Sequence, residues 1–203
     1  GKYWSAAHQP TRRRAQGYEA ISEGRAEFRR RDALDDGHID THTEIVVSPE
    51  DDIELRRVRI TNRSRRRREI DVTSYAEVVI APPAADALHP AFSKLFVQTE
   101  LLAPQRAILC TRRPRSRDEP VPWMLHLMVV HGAEPGAASY ETDRLRFIGR
   151  GGSLAAPRAM REPGALSGTA GAVLDPIVAI RQGLMLEPEQ SVTIDIVTGM
   201  AET

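Results

Sequence analysis

The stretch Tyr140-Glu141-Thr142-Asp143-Arg144-Leu145-Arg146-Phe147-Ile148-Gly149-Arg150-Gly151-Gly152 holds the densest chemistry in the chain. It sets two carboxylates and three guanidinium groups around a strand end and then supplies glycines. Guanidinium groups grip phosphate or sugar hydroxyls through planar, charge-assisted donors. Glycine permits positive φ and close approach of the backbone to a ligand. On the residues alone two readings stay open, a ligand-gripping loop and an ion-paired strand end closed by a glycine turn. A nucleotide loop is excluded, because there is no Gly-x-x-x-x-Gly-Lys and no helix is predicted to follow. Glu141 and Asp143 do not make a glycosidase pair: on one strand they point to the same face about 7 Å apart at the backbone, with no flanking cleft evident.

Other reactive types point to structure. Arg63 with Arg65–Arg68 invites a polyanion reading, but the run sits where a hairpin turns. Glu69, Asp71 and the Glu50–Asp52 cluster are expected to neutralise it as a solvated turn. His38 and His42 have the offset of a helical metal pair, yet they lie in a predicted strand, where that offset separates them by about 13 Å. Cys110 ends the apolar run Ala107-Ile108-Leu109 and is expected as a buried, inert thiol. His126 shares a strand face with Met124, Met128 and Val130 and is expected as a core histidine with one backbone partner. Neither a metal site nor a cofactor site follows from these residues.

The elements that must position these groups are strands. Every even position from Ile70 to Ile80 is apolar or small, while Asp71, Thr73, Tyr75 and Glu77 take the other face. That two-residue period marks a half-buried strand. The alternation returns at Val192, Ile194, Ile196 and Thr198, at Val178, Ile180, Leu184 and Leu186, and more weakly at Ile39, Ile45 and Val47. About ten strands are predicted: Ala26–Asp32, His38–Val47, Asp52–Thr61, Glu69–Ala81, Leu95–Leu102, Arg106–Arg112, Pro122–His131, Ser139–Asp143, Ile177–Leu186 and Ser191–Gly199. Residues 53–60 switch phase, which predicts a bulge near Arg56-Arg57. Trp123–Val130 and Ala107–Cys110 are apolar on both faces, which predicts central strands. Helix is confined to a turn or two near Pro90–Lys94. Gly149–Gly171 carries no strand signal, and a structureless loop of that length is usually functional or disordered. Consecutive hairpins imply an all-β fold of two antiparallel sheets packed face to face.

Composition narrows the function classes. The 203 residues hold 28 basic and 28 acidic groups, a formal charge of 28 − 28 = 0, and are 41% hydrophobic. That suits a single globular domain, residues 1–203. The basic residues are arginine apart from Lys2 and Lys94, and without net positive charge nucleic acid is not an expected partner. Cys110 is the single cysteine, so nothing demands an oxidising compartment. No apolar run approaches the roughly 20 residues that span a bilayer, so no membrane contact is expected from this segment. Gly1–Arg14 reads as neither signal nor transit peptide, which suits a cytoplasmic setting.

Several runs, in order, resemble one family. They are Gly1-Lys2-Tyr3-Trp4-Ser5, Val47-Ser48-Pro49-Glu50-Asp51-Asp52-Ile53-Glu54, Thr73-Ser74-Tyr75-Ala76-Glu77-Val78-Val79, His89-Pro90-Ala91-Phe92-Ser93-Lys94-Leu95-Phe96, and Glu141-Thr142-Asp143-Arg144 through Gly149-Arg150-Gly151. Val173-Leu174-Asp175-Pro176-Ile177 and Val197-Thr198-Gly199-Met200-Ala201-Glu202-Thr203 continue the match. The resemblance is to the β-sandwich domain of the sugar phosphorylases of glycoside hydrolase family 94 (also glycosyltransferase family 36), most closely the version in cyclic β-1,2-glucan synthases.

The resemblance implies a galactose-mutarotase-like supersandwich. It implies inverting phosphorolysis of β-glucosidic bonds in the parent enzyme, with β-glucan oligosaccharide and inorganic phosphate as partners. The catalytic acid would lie on an α/α barrel that follows the sandwich, so this chain is expected to be a fragment without a catalytic residue, beginning inside the sandwich. A homodimer is implied, in which the sandwich lends residues to a neighbouring acceptor site, with Asp143, Arg144, Arg150 and Gly151 as the substrate-binding candidates. The full synthase would sit at the cytoplasmic face of the bacterial inner membrane. Three alternatives stay open: the same domain of a free-standing β-1,2-oligoglucan or cellobiose phosphorylase, a purely structural module, and a mutarotase-like epimerase. The last needs a paired histidine and carboxylate in a central cleft, with His126 or His131 as the histidine.

Overall fold

A computed structural model of the chain describes residues 2–114, 116, 117, 119 and 121–201. Gly1, Glu202 and Thr203, which belong to the first and last of the runs above, lie outside the described residues. In chain order the elements are β1 (Gly17–Ser22), β2 (Ala26–Leu34), β3 (Gly37–Val47), β4 (Ile53–Ser64), β5 (Arg68–Thr73) and β6 (Ala76–Glu77). Two short helices follow, α1 (Pro83–Leu88) and α2 (Pro90–Lys94), then β7 (Val97–Leu102), β8 (Ala107–Arg112), β9 (Trp123–His131) and β10 (Ala138–Asp143). The chain ends with α3 (Arg144–Ile148), α4 (Arg158–Arg161), β11 (Gly171–Ala172), β12 (Pro176–Leu186) and β13 (Ser191–Ala201).

Among the described residues, nine strands form one antiparallel sheet in the order β1-β2-β3-β4-β13-β9-β8-β7-β11. In a second sheet β12 is flanked by β10 on one side and by β5 and β6 on the other. Alternation explains how the sheets close on each other. Val58 and Ile60 of β4, Val192 and Ile194 of β13, Met124 and Met128 of β9 and Ile108 of β8 point inward. They meet Val178, Ile180, Leu184 and Leu186 from β12 and Tyr140 from β10. Burying each such aliphatic side chain is worth about 1.5–3 kcal/mol. The architecture is the expected all-β, two-sheet sandwich.

Four expectations are corrected. The bulge near Arg56-Arg57 does not form: β4 pairs without a break with β3 and with β13. The phase switch instead reflects an apolar patch on the outer face, where Leu55 stands opposite Val197 and Val197 opposite Leu127. The strand buried on both faces is β12, not β9, whose outward residues are half-buried or exposed. The predicted strand over Glu69–Ala81 is split, because the Ser74 side chain takes the Ile180 N–H at 3.1 Å. Finally, the stretch from Gly149 is a third layer: Phe147 and Ile148 of α3, with Leu154, Ala159 and Leu166, pack on Ile177 and Ala179 of β12.

Candidate functional site

The strand end at Tyr140–Gly152 is shaped by its own polar groups. Glu141 is 2% exposed. One carboxylate oxygen accepts the N–H groups of Thr142 (3.0 Å) and Asp143 (2.9 Å), and the other accepts the Ser167 hydroxyl. The β10–β12 register shifts at this point. Asp143 then caps a helix that the sequence reading did not foresee. Its Oδ1 accepts from Leu145 N–H at 2.8 Å and Arg146 N–H at 3.4 Å, which starts α3. Gly149 ends the helix at φ +88°, and its N–H returns to the Leu145 carbonyl at 2.8 Å. Gly151, at φ +68°, faces open space.

Arg144 turns away from that cap into a second cluster. Its Nε donates to Glu77 at 3.1 Å and its Nη1 lies 3.7 Å from Asp175. Lys94 of α2 donates to Asp175 at 2.6 Å, and the Tyr75 hydroxyl donates to Glu77 at 3.2 Å. Burial is the largest single influence on Arg144 and opposes its charge, but the hydrogen bond to Glu77 together with the charges and contacts of Glu77 and Tyr75 outweighs it and raises the guanidinium pKa. Burial, then the Glu77 charge, pushes the Tyr75 phenol well above its ordinary value. The Arg144 side chain is 38% exposed, so these pairs are worth about 0–1 kcal/mol each.

Of the four predicted binding residues, then, Asp143 holds a helix cap and Arg144 an ion pair. Arg150 and Gly151 stand exposed on the turn after α3, and Arg150 has no ion-pair or hydrogen-bond partner among the described residues. Sequence reasoning missed Tyr75, Glu77, Lys94 and Asp175 as site residues. The signal was present, since each belongs to one of the runs that carried the resemblance, and four of those runs meet at Arg144. The exposed apolar residues Val79, Phe92, Leu145 and Leu174 flank the cluster in sequence.

The remaining candidates hold structural places. His126, 2% exposed, sits between Ser74 Oγ (2.8 Å) and Thr198 Oγ1 (2.9 Å), two hydroxyl partners where one backbone partner was expected. Burial, aided by Arg56, pushes its pKa down to about 4. His131 lies 3.2 Å from Asp195, whose carboxylate already takes two donors from Arg57. Burial pushes the Cys110 thiol up to about 12. The arginine turn is neutralised by other residues than expected: Arg66 and Arg68 pair with Asp36, Arg67 with Glu187 and Arg63 with Glu189. His38 faces Asp40 and His42 faces Glu27. Glu27, His42 and Glu44 place their ligand atoms within 4.8 Å of one another. Arg25 bridges both carboxylates and Arg29 adds a second contact to Glu27, so guanidinium groups already supply the cation there.

Residues 1–203 match the family described as glycosyl hydrolase 94, supersandwich domain. The chain is 38% identical over 198 residues to the cyclic beta-(1,2)-glucan synthase NdvB of Rhizobium meliloti (strain 1021), covering 96% of this chain and 7% of that protein. A solved structure of a candidate kojibiose phosphorylase from the human microbiome aligns with 88% of this chain and 18% of its own, at 8% identity and a TM-score of 0.47. A candidate aldose 1-epimerase from Klebsiella pneumoniae subsp. pneumoniae aligns with 90% of this chain and 53% of its own, at 12% identity and a TM-score of 0.36.

Proposed function

The chain belongs to the glycosyl hydrolase 94 supersandwich family, and from that premise we propose that it is the non-catalytic, carbohydrate-recognising scaffold of a cyclic β-1,2-glucan synthase-type enzyme. The observation that carries this reading is the meeting of four family-like runs at the Arg144 cluster, in a chain 38% identical to a glucan synthase. The adjoining catalytic domain would supply an acid that protonates the glycosidic oxygen while phosphate attacks C1 from the opposite face. This chain's part is positional. The Asp143 cap and the Arg144–Glu77 pair fix the turn, and Arg150 and Gly151 present a guanidinium and an open backbone to the glucan, in one subunit or across a homodimer. Among the described residues no helix is long and apolar enough to cross a membrane. We place the complete enzyme at the cytoplasmic face of the bacterial inner membrane, anchored by other segments.

Arg150→Ala in the complete enzyme is the test. A charge-assisted contact to a hydroxyl is worth about 1.5–3 kcal/mol, so the variant should raise KM for β-1,2-glucan about tenfold or more at little change in kcat. Unchanged kinetics would remove Arg150 from the substrate path. Arg144→Ala separates the roles: lowered melting temperature with unaltered KM means that its ion pair only holds the fold.

A further inference from the structure

The outer face of β1–β4 carries a trough that the Arg144 cluster does not touch. A concavity of about 520 Å³, lined by Glu19, Arg29, Arg31, Asp40, His42 and Arg59, lies across these strands. A second, of about 380 Å³, lies beside Glu27 and Arg25. Glu27 forms the wall between them, because it bonds to His42 and Arg29 on the first side and to Arg25 on the second. Each volume falls in the range of small-ligand sites, about 300–1,000 Å³, and two in series suit a chain better than a single compact molecule.

The walls are ion-paired before any ligand arrives. Arg29 is held by Glu19 and Glu27, and Arg31 donates to Asp40 at 2.9 Å. Arg59 differs: it stands opposite His42 and Thr193 in the sheet, is exposed, and has no partner among the described residues. The two linings together hold five guanidinium groups (Arg25, Arg29, Arg30, Arg31 and Arg59) and four carboxylates (Glu19, Glu23, Glu27 and Asp40). Arg30 is paired with Asp32 behind them, so the trough is close to neutral and has no excess charge to attract a polyanion. It instead alternates donors and acceptors, and a sugar hydroxyl is both.

We propose that this trough binds a neutral, polyhydroxylated chain, an oligosaccharide lying across β1–β4 with Arg59 as the donor it engages. The ligand class rests on the carbohydrate reading above, while the site is separate from the Arg150 turn. Ion-paired walls reduce the entropy lost on binding.

Calorimetric titration of the 203-residue chain with a linear β-1,2-gluco-oligosaccharide tests it, with cello-oligosaccharide and dextran sulfate as the other arms. Saturable binding of the neutral sugar is expected, about tenfold weaker in Arg59→Ala and unchanged in Arg161→Ala, with melting temperatures equal throughout. Wild-type affinity in Arg59→Ala, no binding by the wild-type chain, or salt-sensitive preference for dextran sulfate would each overturn the proposal. Loss of binding in Arg150→Ala alone would sink the trough and leave the turn reading standing. Arg59-dependent binding of cello- and β-1,2-oligosaccharides alike would uphold the trough and sink the linkage.

Discussion

Arg181 and Arg59 belong to facing sheets of one sandwich, and their guanidinium groups have opposite commitments. Arg181, on the outward side of β12, is 6% exposed. It donates to Thr73 Oγ1 (3.1 Å), the Gly164 carbonyl (2.7 Å) and the Ala159 carbonyl (2.6 Å). The two carbonyl bonds tie the third layer to the small sheet, and the Thr73 bond joins neighbouring strands of that sheet. Arg59, on the outward side of β4, holds nothing. Arg181 is therefore spent on folding where a loop covers the sheet, whereas on the solvent-facing sheet Arg57 is held by Asp195 and Arg59, two residues on, is left available. The contrast teaches that arginine density alone says little here; what stands opposite each guanidinium assigns its role.

The largest expected effect breaks the first half of that contrast. Arg181→Ala removes two hydrogen bonds from a buried guanidinium to carbonyls of the third layer, and a hydrogen bond to a charged group is worth about 1.5–3 kcal/mol. A loss of about 3–4 kcal/mol in urea unfolding is expected, together with faster amide exchange over residues 154–166. A loss below about 1 kcal/mol would mean that the apolar contacts of Leu154, Ala159 and Leu166 hold the layer without the clamp.

His126 extends the contrast to pH, because it too is a polar group spent on the fold. Unfolded, the imidazole titrates near its ordinary value of 6.5; folded, burial holds it down to about 4. Between those values the unfolded chain binds more protons, so acidification favours unfolding. The contribution is complete above pH 6.5 and is lost as pH falls to about 4. At about 1.36 kcal/mol per pH unit the window is worth roughly 3 kcal/mol. Asp195, which the Arg57 hydrogen bond holds below the ordinary carboxylate value, gives up its share only below that window. Urea midpoints from pH 7 to 4 should fall in the wild-type chain and flatten in His126→Gln; equal slopes would assign the acid sensitivity elsewhere.

The ten strands and α2 could be read from the sequence because their apolar residues alternate or their proline opens a turn. β1 could not, since Gly17–Ser22 is exposed on nearly all its side chains and so shows no alternation. The third layer was equally silent. Its apolar anchors are scattered, and the Arg181 clamp binds backbone carbonyls, which leave no trace in residue type. At the candidate site the glycines and the Asp143-Arg144 pair were visible, but their partners were not. Glu77, Lys94 and Asp175 come from separate stretches of chain, and only strand pairing and the α2 contact bring them to Arg144. The spare donor of Arg59 was hidden for the same reason. Register gives Arg57 a carboxylate, Asp195, from 138 positions away and gives Arg59 none.

Asp143 tests the boundary between the two uses at the smallest energy. As a helix cap it needs only an acceptor, which asparagine supplies as well as aspartate. Asp143→Ala is expected to cost about 1 kcal/mol, a melting-temperature drop of roughly 2–4 °C in a chain of this size, while Asp143→Asn should restore most of it. If the carboxylate also touches glucan in the complete enzyme, Asp143→Asn would keep its stability and still raise KM. Stability and KM recovering together in the asparagine variant would place Asp143 with Arg181, among the groups whose bonds are spent inside the fold.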